Sequence, residues 1–130
     1  MVKTREIPSS EHKIYYKKSS QAFETMKLAY DHKLWSPAGR EAVFTCINMT
    51  DALLAKHNRL RNISKDHMDV VKIVSSLLPI KDAFSQANRL KKIISIKNLV
   101  DYESKDFSEK QASEIYKNAE RYFRWGEKHL

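Results

Sequence analysis

Residues Ile96 to Tyr102 read IKNLVDY, and how this stretch is read decides the fold. Together with the residues before it, it opens as Ile93-Ile94-Ser95-Ile96, a β-branched run that suits a strand on propensity alone. Upstream, however, Ala83, Phe84, Ala87, Leu90, Ile93 and Ile94 recur at helical spacing with no Gly or Pro among them. The register therefore continues and predicts a helix whose end is interrupted by Lys97, Asn98, Asp101 and Tyr102. With only 2 Gly and 3 Pro in 130 residues, the chain also has little turn chemistry for a many-stranded sheet. All-α is the class that composition and period both favour.

Four further helices follow by the same reasoning. Tyr15, Ser19, Ala22, Phe23, Met26, Ala29 and Tyr30 make one face of a helix from about Glu11 to Lys33, with Ser9 and Ser10 placed to cap it. Ser36-Pro37 reads as a cap followed by proline in the first turn, opening a helix striped by Val43, Cys46, Ile47, Thr50, Leu53 and Leu54 and ending near His57. Ser64 is the expected cap of the next helix. Its Val70, Val71, Ile73, Val74, Leu77 and Leu78 predict burial on two sides, and Pro79 stops it. Ser108-Glu-Lys-Gln111 is a capping box ahead of Ala112, Ile115, Tyr116, Ala119, Tyr122 and Phe123. Short loops make neighbours antiparallel, so the expected architecture is a single-domain, five-helix up-and-down bundle over residues 1–130, with 1–9 a flexible lead-in. Phe44, Met49 and Trp125 fall off the stripes of their helices, and as exposed apolar groups they suggest a homodimer.

The net charge of +8 and pI near 9.6 favour anionic partners, nucleic acid among them, while a Lys-rich surface also serves solubility. Residues 1–65 hold 12 Lys/Arg against 6 Asp/Glu, and residues 66–130 hold 12 against 10, so a basic side is expected. The lone cysteine, Cys46, lies in an apolar pattern and is expected to pack as a small hydrophobe. The opening residues lack the apolar run of a signal peptide, and no stretch approaches a membrane span, which leads to the expectation of a cytoplasmic protein with no membrane partner.

Several chemistries find no footing in the sequence. Cys46 and His57 stand eleven residues apart on one predicted helix, about 16 Å, too far for a catalytic dyad. His12, His32, His57, His67 and His129 include no pair three or four residues apart, so no helical zinc pair is expected. Gly39 and Gly126 stand alone, so there is no phosphate loop, and no cofactor is implied. Lys117, Arg121, Arg124 and Lys128 would follow a phosphate backbone, but Glu114, Glu120 and Glu127 interleave with them and suggest a solvated face. The more suggestive basic groups are Arg59, Arg61 and Lys65 between the second and third helices, with Arg89, Lys91, Lys92 and Lys97 on the fourth.

Three segments carry a resemblance: FTCINMTDALLAKHNRLRNISKDHMDVVKIV from Phe44, NRLKKIISIKNLVDY from Asn88, and SEKQASEIYKNAERYFRW from Ser108. An apolar helix bearing Asp-Ala-Leu-Leu, an Asp-His opening the next helix, and a Lys-Asn-x-x-x-Tyr segment before the last helix together resemble the small prokaryotic stand-alone members of the HEPN superfamily (higher eukaryotes and prokaryotes nucleotide-binding). The likeness spans about residues 15 to 127 and rests on the order and spacing of these segments. It implies a helical bundle that binds nucleotide or RNA, commonly as a dimer, and in some cases beside a nucleotidyltransferase-like protein. It also implies metal-independent ribonuclease chemistry, as in toxins, where an Arg-Asn-x-x-x-His motif is intact.

Here that motif falls on Lys97, Asn98 and Tyr102. A lysine keeps the positive charge but loses the planar fork, and a phenol with an ordinary pKa of about 10 is a poor general base at neutral pH. The expectation is therefore a non-catalytic binding module using Lys97, Asn98 and Tyr102, with Asp51, Arg61 and His67 nearby. Two alternatives stand beside it. Arg61 and His67 also have an Arg-to-His spacing, five residues intervening, and would make an active ribonuclease in which imidazole takes a 2′-hydroxyl proton and guanidinium holds the phosphorane. The other is a protein-interaction subunit whose basic surface is incidental. Asp51, His67 and Tyr102 also have a purely structural reading, as a buried polar network that fixes helix register.

Overall fold

The computed structural model describes residues 2–102 and 106–130. It contains five helices: α1 (His12–Asp31), α2 (Trp35–Asn58), α3 (Met68–Ser76), α4 (Ala83–Tyr102) and α5 (Glu109–Glu127). The Ile93–Ile96 run lies inside α4, so helical register prevails over β-propensity, as the spacing from Ala83 onward predicts. Two short strands, β1 (Thr4–Glu6) and β2 (Leu60–Asn62), pair antiparallel with Arg5 opposite Arg61.

That ribbon corrects the expectation of a free lead-in at residues 1–9. The Ile7 amide donates to the Arg59 carbonyl at 3.0 Å and the Ile63 amide to the Lys3 carbonyl at 2.9 Å, extending the ladder at both ends. Ile7 is buried, in a small cluster with Tyr15, Ala52 and Ala55. The pairing becomes possible because α2 ends at Arg59 in the left-handed region, φ 55°, which turns the chain back along the helix end.

The capping residues differ from expectation in three places, and in two of them, Ser36 and Ser64, the displaced hydroxyl has found another partner. Ser9 belongs to a single 3₁₀ turn, Ser9–Glu11, that leads into α1. Helix α2 starts at Trp35, so Ser36 lies within its first turn, where its Oγ donates to Asp106 Oδ1 at 2.8 Å and accepts from the Phe107 amide at 3.3 Å. Ser64 accepts from the Lys3 amide at 2.7 Å, while α3 begins four residues later with Asp66 Oδ1 accepting from the Met68 amide. The capping box of α5 forms as its sequence predicts, Ser108 and Gln111 exchanging side-chain and backbone bonds.

The helix buried on more than one side is α2, where sequence periodicity had pointed to α3. Helix α2 packs against every other helix and the ribbon. It buries Ala38, Gly39, Ala42, Val43, Thr45, Cys46, Met49 and an unbroken run from Thr50 to Ala55. Small side chains hide this in a hydropathy reading but let neighbouring helices approach closely. Helix α3 buries Val70, Ile73 and Val74 against α4 and α2, leaving Leu77 exposed. Cys46 is fully buried and packs as a small apolar group; burial pushes its thiol pKa well up.

Met49 and Trp125, expected outside, are both buried: Trp125 packs on Tyr122, and Met49 fills the space over Gly126. Their off-stripe positions mark the contact of α2 with α5, so of the three residues that suggested a dimer only Phe44 is exposed. Between these helices, Thr50 Oγ1 donates to the Cys46 carbonyl, so the short hydroxyl contact between Thr50 and Tyr122 must have Tyr122 as donor. No described helix is long and apolar enough to cross a membrane.

Phe107 fixes the approach to α5. It is buried with its ring over Gly39, where an added Cβ would lie 2.6–2.8 Å from three ring carbons. Gly39→Ala should therefore destabilise the fold by roughly 1–3 kcal/mol, since a ring in a packed core has little room to retreat. Adding Phe107→Leu to that variant should cost less than the two single changes summed. Urea unfolding of the four proteins measures this, and strict additivity would dismiss the contact.

Candidate functional site

Lys97 and His67, far apart in sequence, line one cavity of about 260 Å³ with Arg40, Val43, Phe44 and Asp101. Three elements build it. Helix α2 supplies Arg40 and Phe44 one turn apart, α4 supplies Lys97 and Asp101 one turn apart, and His67 stands immediately before α3. Val43 is buried and forms apolar wall, whereas Phe44 is 48% exposed and presents a ring edge or face to solvent. Lys97 Nζ pairs with Asp101 Oδ2 at 2.9 Å. His67 is half-buried, and burial together with the Lys97 charge holds its pKa below the ordinary value, partly opposed by Asp66. The imidazole is thus mostly neutral at pH 7 and able to take up a proton if negative charge arrives.

The other candidates lie elsewhere. Asn98 and Tyr102 stand on the exposed face of α4, Tyr102 at 90% exposure, and neither lines the cavity. Tyr102 is therefore no member of a buried network with Asp51 and His67. Arg61, on β2, lays its guanidinium over the Tyr15 ring at 5.2 Å, and its Nε is buried without a hydrogen-bond partner among the described residues. It influences Asp51, as does Lys18, which also approaches the Tyr15 ring. Arg61 and Asp51 thus form a polar locus under the ribbon, while His67 faces α2 and α4. The remaining basic residues scatter too: Arg89 donates to Asn118 on α5, and Arg59 caps α2.

Two larger hollows carry less chemistry. One, about 460 Å³, runs along Glu6–Pro8 and Asn58–Leu60 where the ribbon leaves α2. The other, about 550 Å³, is a shallow region of mixed charge between α4 and α5 lined by Asp82, Glu120, Arg121 and Arg124 among others. Volume alone does not select a ligand site; convergent polar groups beside apolar wall do. By that measure the small cavity is the candidate.

Arg40 is the residue that sequence reasoning passed over. It sits on the exposed face of α2 in a run with no other marker of function. The available signal was Phe44, an apolar residue off the helix stripe with a cation four residues before it on the same face.

Comparison with protein-family models, with curated proteins and with solved structures finds no match.

Asp51 offers a test of the second locus. It is 9% exposed, and burial pushes its pKa up to about 7, with Arg61 and Lys18 pulling the other way. Its folded-state pKa lies above the unfolded one, so between about pH 4 and 7 the folded chain holds the extra proton and stability falls as pH rises. Asp51→Asn should therefore stabilise the protein at pH 8 by roughly 1–3 kcal/mol, the gain vanishing near pH 4. Urea titrations at the two pH values check this; a gain independent of pH would contradict it.

Proposed function

We propose that this chain is a HEPN-like helical binding module without nuclease chemistry, and that the cavity between Arg40, Phe44, His67 and Lys97 takes a nucleotide or the end of an RNA strand. The observation that carries the reading is the convergence of two permanent cations and a neutral imidazole beside an exposed aromatic ring. Phosphate needs charge-assisted donors, which Arg40 and Lys97 supply, and a base needs a flat apolar face, which Phe44 supplies. A cavity of about 260 Å³ suits one nucleotide, with any further strand passing over the surface. Asn98 and Tyr102, on the next face of α4, are positioned for that onward path.

Cleavage is the weaker reading. Its alternative pair, Arg61 and His67, occupies different surroundings, Arg61 over Tyr15 beside Asp51 and His67 against Lys97. Within the cavity, Lys97 and Arg40 supply charge, but the group at the position of the motif's histidine is Tyr102, a phenol in open solvent. A second copy of the chain or a nucleotidyltransferase-like protein follows from the HEPN resemblance. Exposed Phe84 and Leu99 on α4 give such a partner an apolar footing.

Titration of a fluorescent oligoribonucleotide at about 50 and 200 mM salt tests the reading, with affinity expected to fall steeply as salt rises. Lys97→Ala and Arg40→Ala should each weaken binding about tenfold, the scale of one charge-assisted bond, and Tyr102→Ala should weaken it less. Absence of binding at low salt, or indifference to Lys97→Ala, would refute the assignment. Incubation with labelled RNA in chelator should leave the substrate intact.

A further inference from the structure

Asp101 occupies one of the cavity's two permanent cations: its carboxylate lies 2.9 Å from Lys97 Nζ, and both residues line the cavity wall. An incoming anion that uses Lys97 therefore has to push this carboxylate aside or sit beside it against its charge. A phosphodiester inside a strand carries one negative charge, as Asp101 does, so it exchanges one monoanionic partner for another with little gain. A phosphate monoester at a strand end, or on a free nucleotide, carries about −1.5 to −2 at pH 7 and three acceptor oxygens. It can outcompete Asp101 for Lys97 and still engage Arg40 and His67.

Resting on the binding function proposed above, we infer that the cavity selects nucleotides bearing a terminal phosphate monoester, with Asp101 as the internal competitor that rejects diesters. Three features on separate elements support this. The groups facing His67 are Arg40 from α2 and Lys97 and Asp101 from α4, with Asp66 beside it in the chain. One of these carboxylates is already committed to Lys97, so the cavity's net charge rises by one whenever Asp101 is pushed aside. The cavity is small, about 260 Å³, so one terminal nucleotide is enough to fill it. Phe44, on the same wall, gives the terminal base a face and separates a nucleotide from bare inorganic phosphate.

His67 adds a proton linkage. Its pKa is held low in the free protein by burial and by Lys97, and a doubly charged phosphate reverses that balance, so binding draws in a proton. Affinity for the phosphorylated end should then rise as pH falls from 8.5 to 7, a range in which the phosphate keeps most of its second charge.

The experiment compares one short oligoribonucleotide carrying a 5′-phosphate, a 3′-phosphate or neither, with a nucleoside monophosphate and inorganic phosphate as competitors. At least one phosphorylated form should bind ten times more tightly than the unphosphorylated one at pH 7. Asp101→Asn should shrink that ratio by tightening the unphosphorylated form, His67→Ala should remove the pH dependence of the ratio, and Phe44→Ala should bring the nucleotide down to the level of inorganic phosphate. Equal binding of all three oligonucleotides, weakened alike by Lys97→Ala, would overturn end selection and leave the binding function standing. No binding of any of them would overturn both. A preference unchanged in Asp101→Asn would overturn the competitor role of that carboxylate.

Discussion

Helix α2 is dry around most of its circumference, and the rest of the molecule is arranged to keep it so. From Thr50 to Ala55 six consecutive residues are buried, which no helix on the surface of a bundle can achieve. Its small residues make this possible. Alanines at 38, 42, 52 and 55, Gly39 and Thr45 leave shallow grooves into which α1, α5 and the Phe107 ring fit. Ser19 on α1 donates to the Thr45 carbonyl at 2.7 Å, and Tyr122 on α5 donates to Thr50, so each flanking helix is pinned by a buried hydroxyl as well as by apolar contact. Burial of a hydroxyl is tolerated only with such a partner, and these bonds fix the rotational setting of each helix on α2.

The candidate site inherits its geometry from that arrangement. Arg40 and Phe44 project from a part of α2 that the other helices leave open, and α4 brings Lys97 and Asp101 alongside. Because Val43 and Val100 on either side are buried, the polar groups between them stand on elements held by the core. The cavity is therefore set by helix packing, with His67, on the link before α3, the one lining residue outside a regular element among the described residues.

Helix existence was legible in the sequence because apolar spacing is a direct record of which face is covered. The α1 stripe from Tyr15 to Ala29 and the α5 capping box appear as read. What was illegible depends on partners distant in the chain. Ser36 and Ser64 looked like caps because local hydrogen bonding favours serine there, but Asp106, Phe107 and Lys3 claim them. The centrality of α2 was hidden because alanine, glycine and threonine carry little hydropathy while marking close approach. Of the residues lining the candidate cavity, Lys97 was legible as a polar interruption of an apolar helix and His67 as part of the Asp-His that opens the next one. Arg40 was not, since only the tertiary packing of α2 against α4 brings an exposed arginine to the cavity. The Asp51–Arg61 locus was placed beside His67 in the sequence reading and is separated from it by the course of β2.

The ribbon ties residues 4–6 to residues 60–62, with α1 and α2 between them as one closed loop. Such a tie contributes nothing until that loop has condensed, since the closure entropy comes due before the few ladder bonds can repay it. Closure entropy therefore predicts that the α1–α2 hairpin, built from near neighbours in the chain, precedes the ribbon, which then covers Tyr15, Ala52 and Ala55 with Ile7. In the native state a strand held by so few ladder bonds is expected to open more readily than the helices it rests on, and its amides to exchange sooner than theirs.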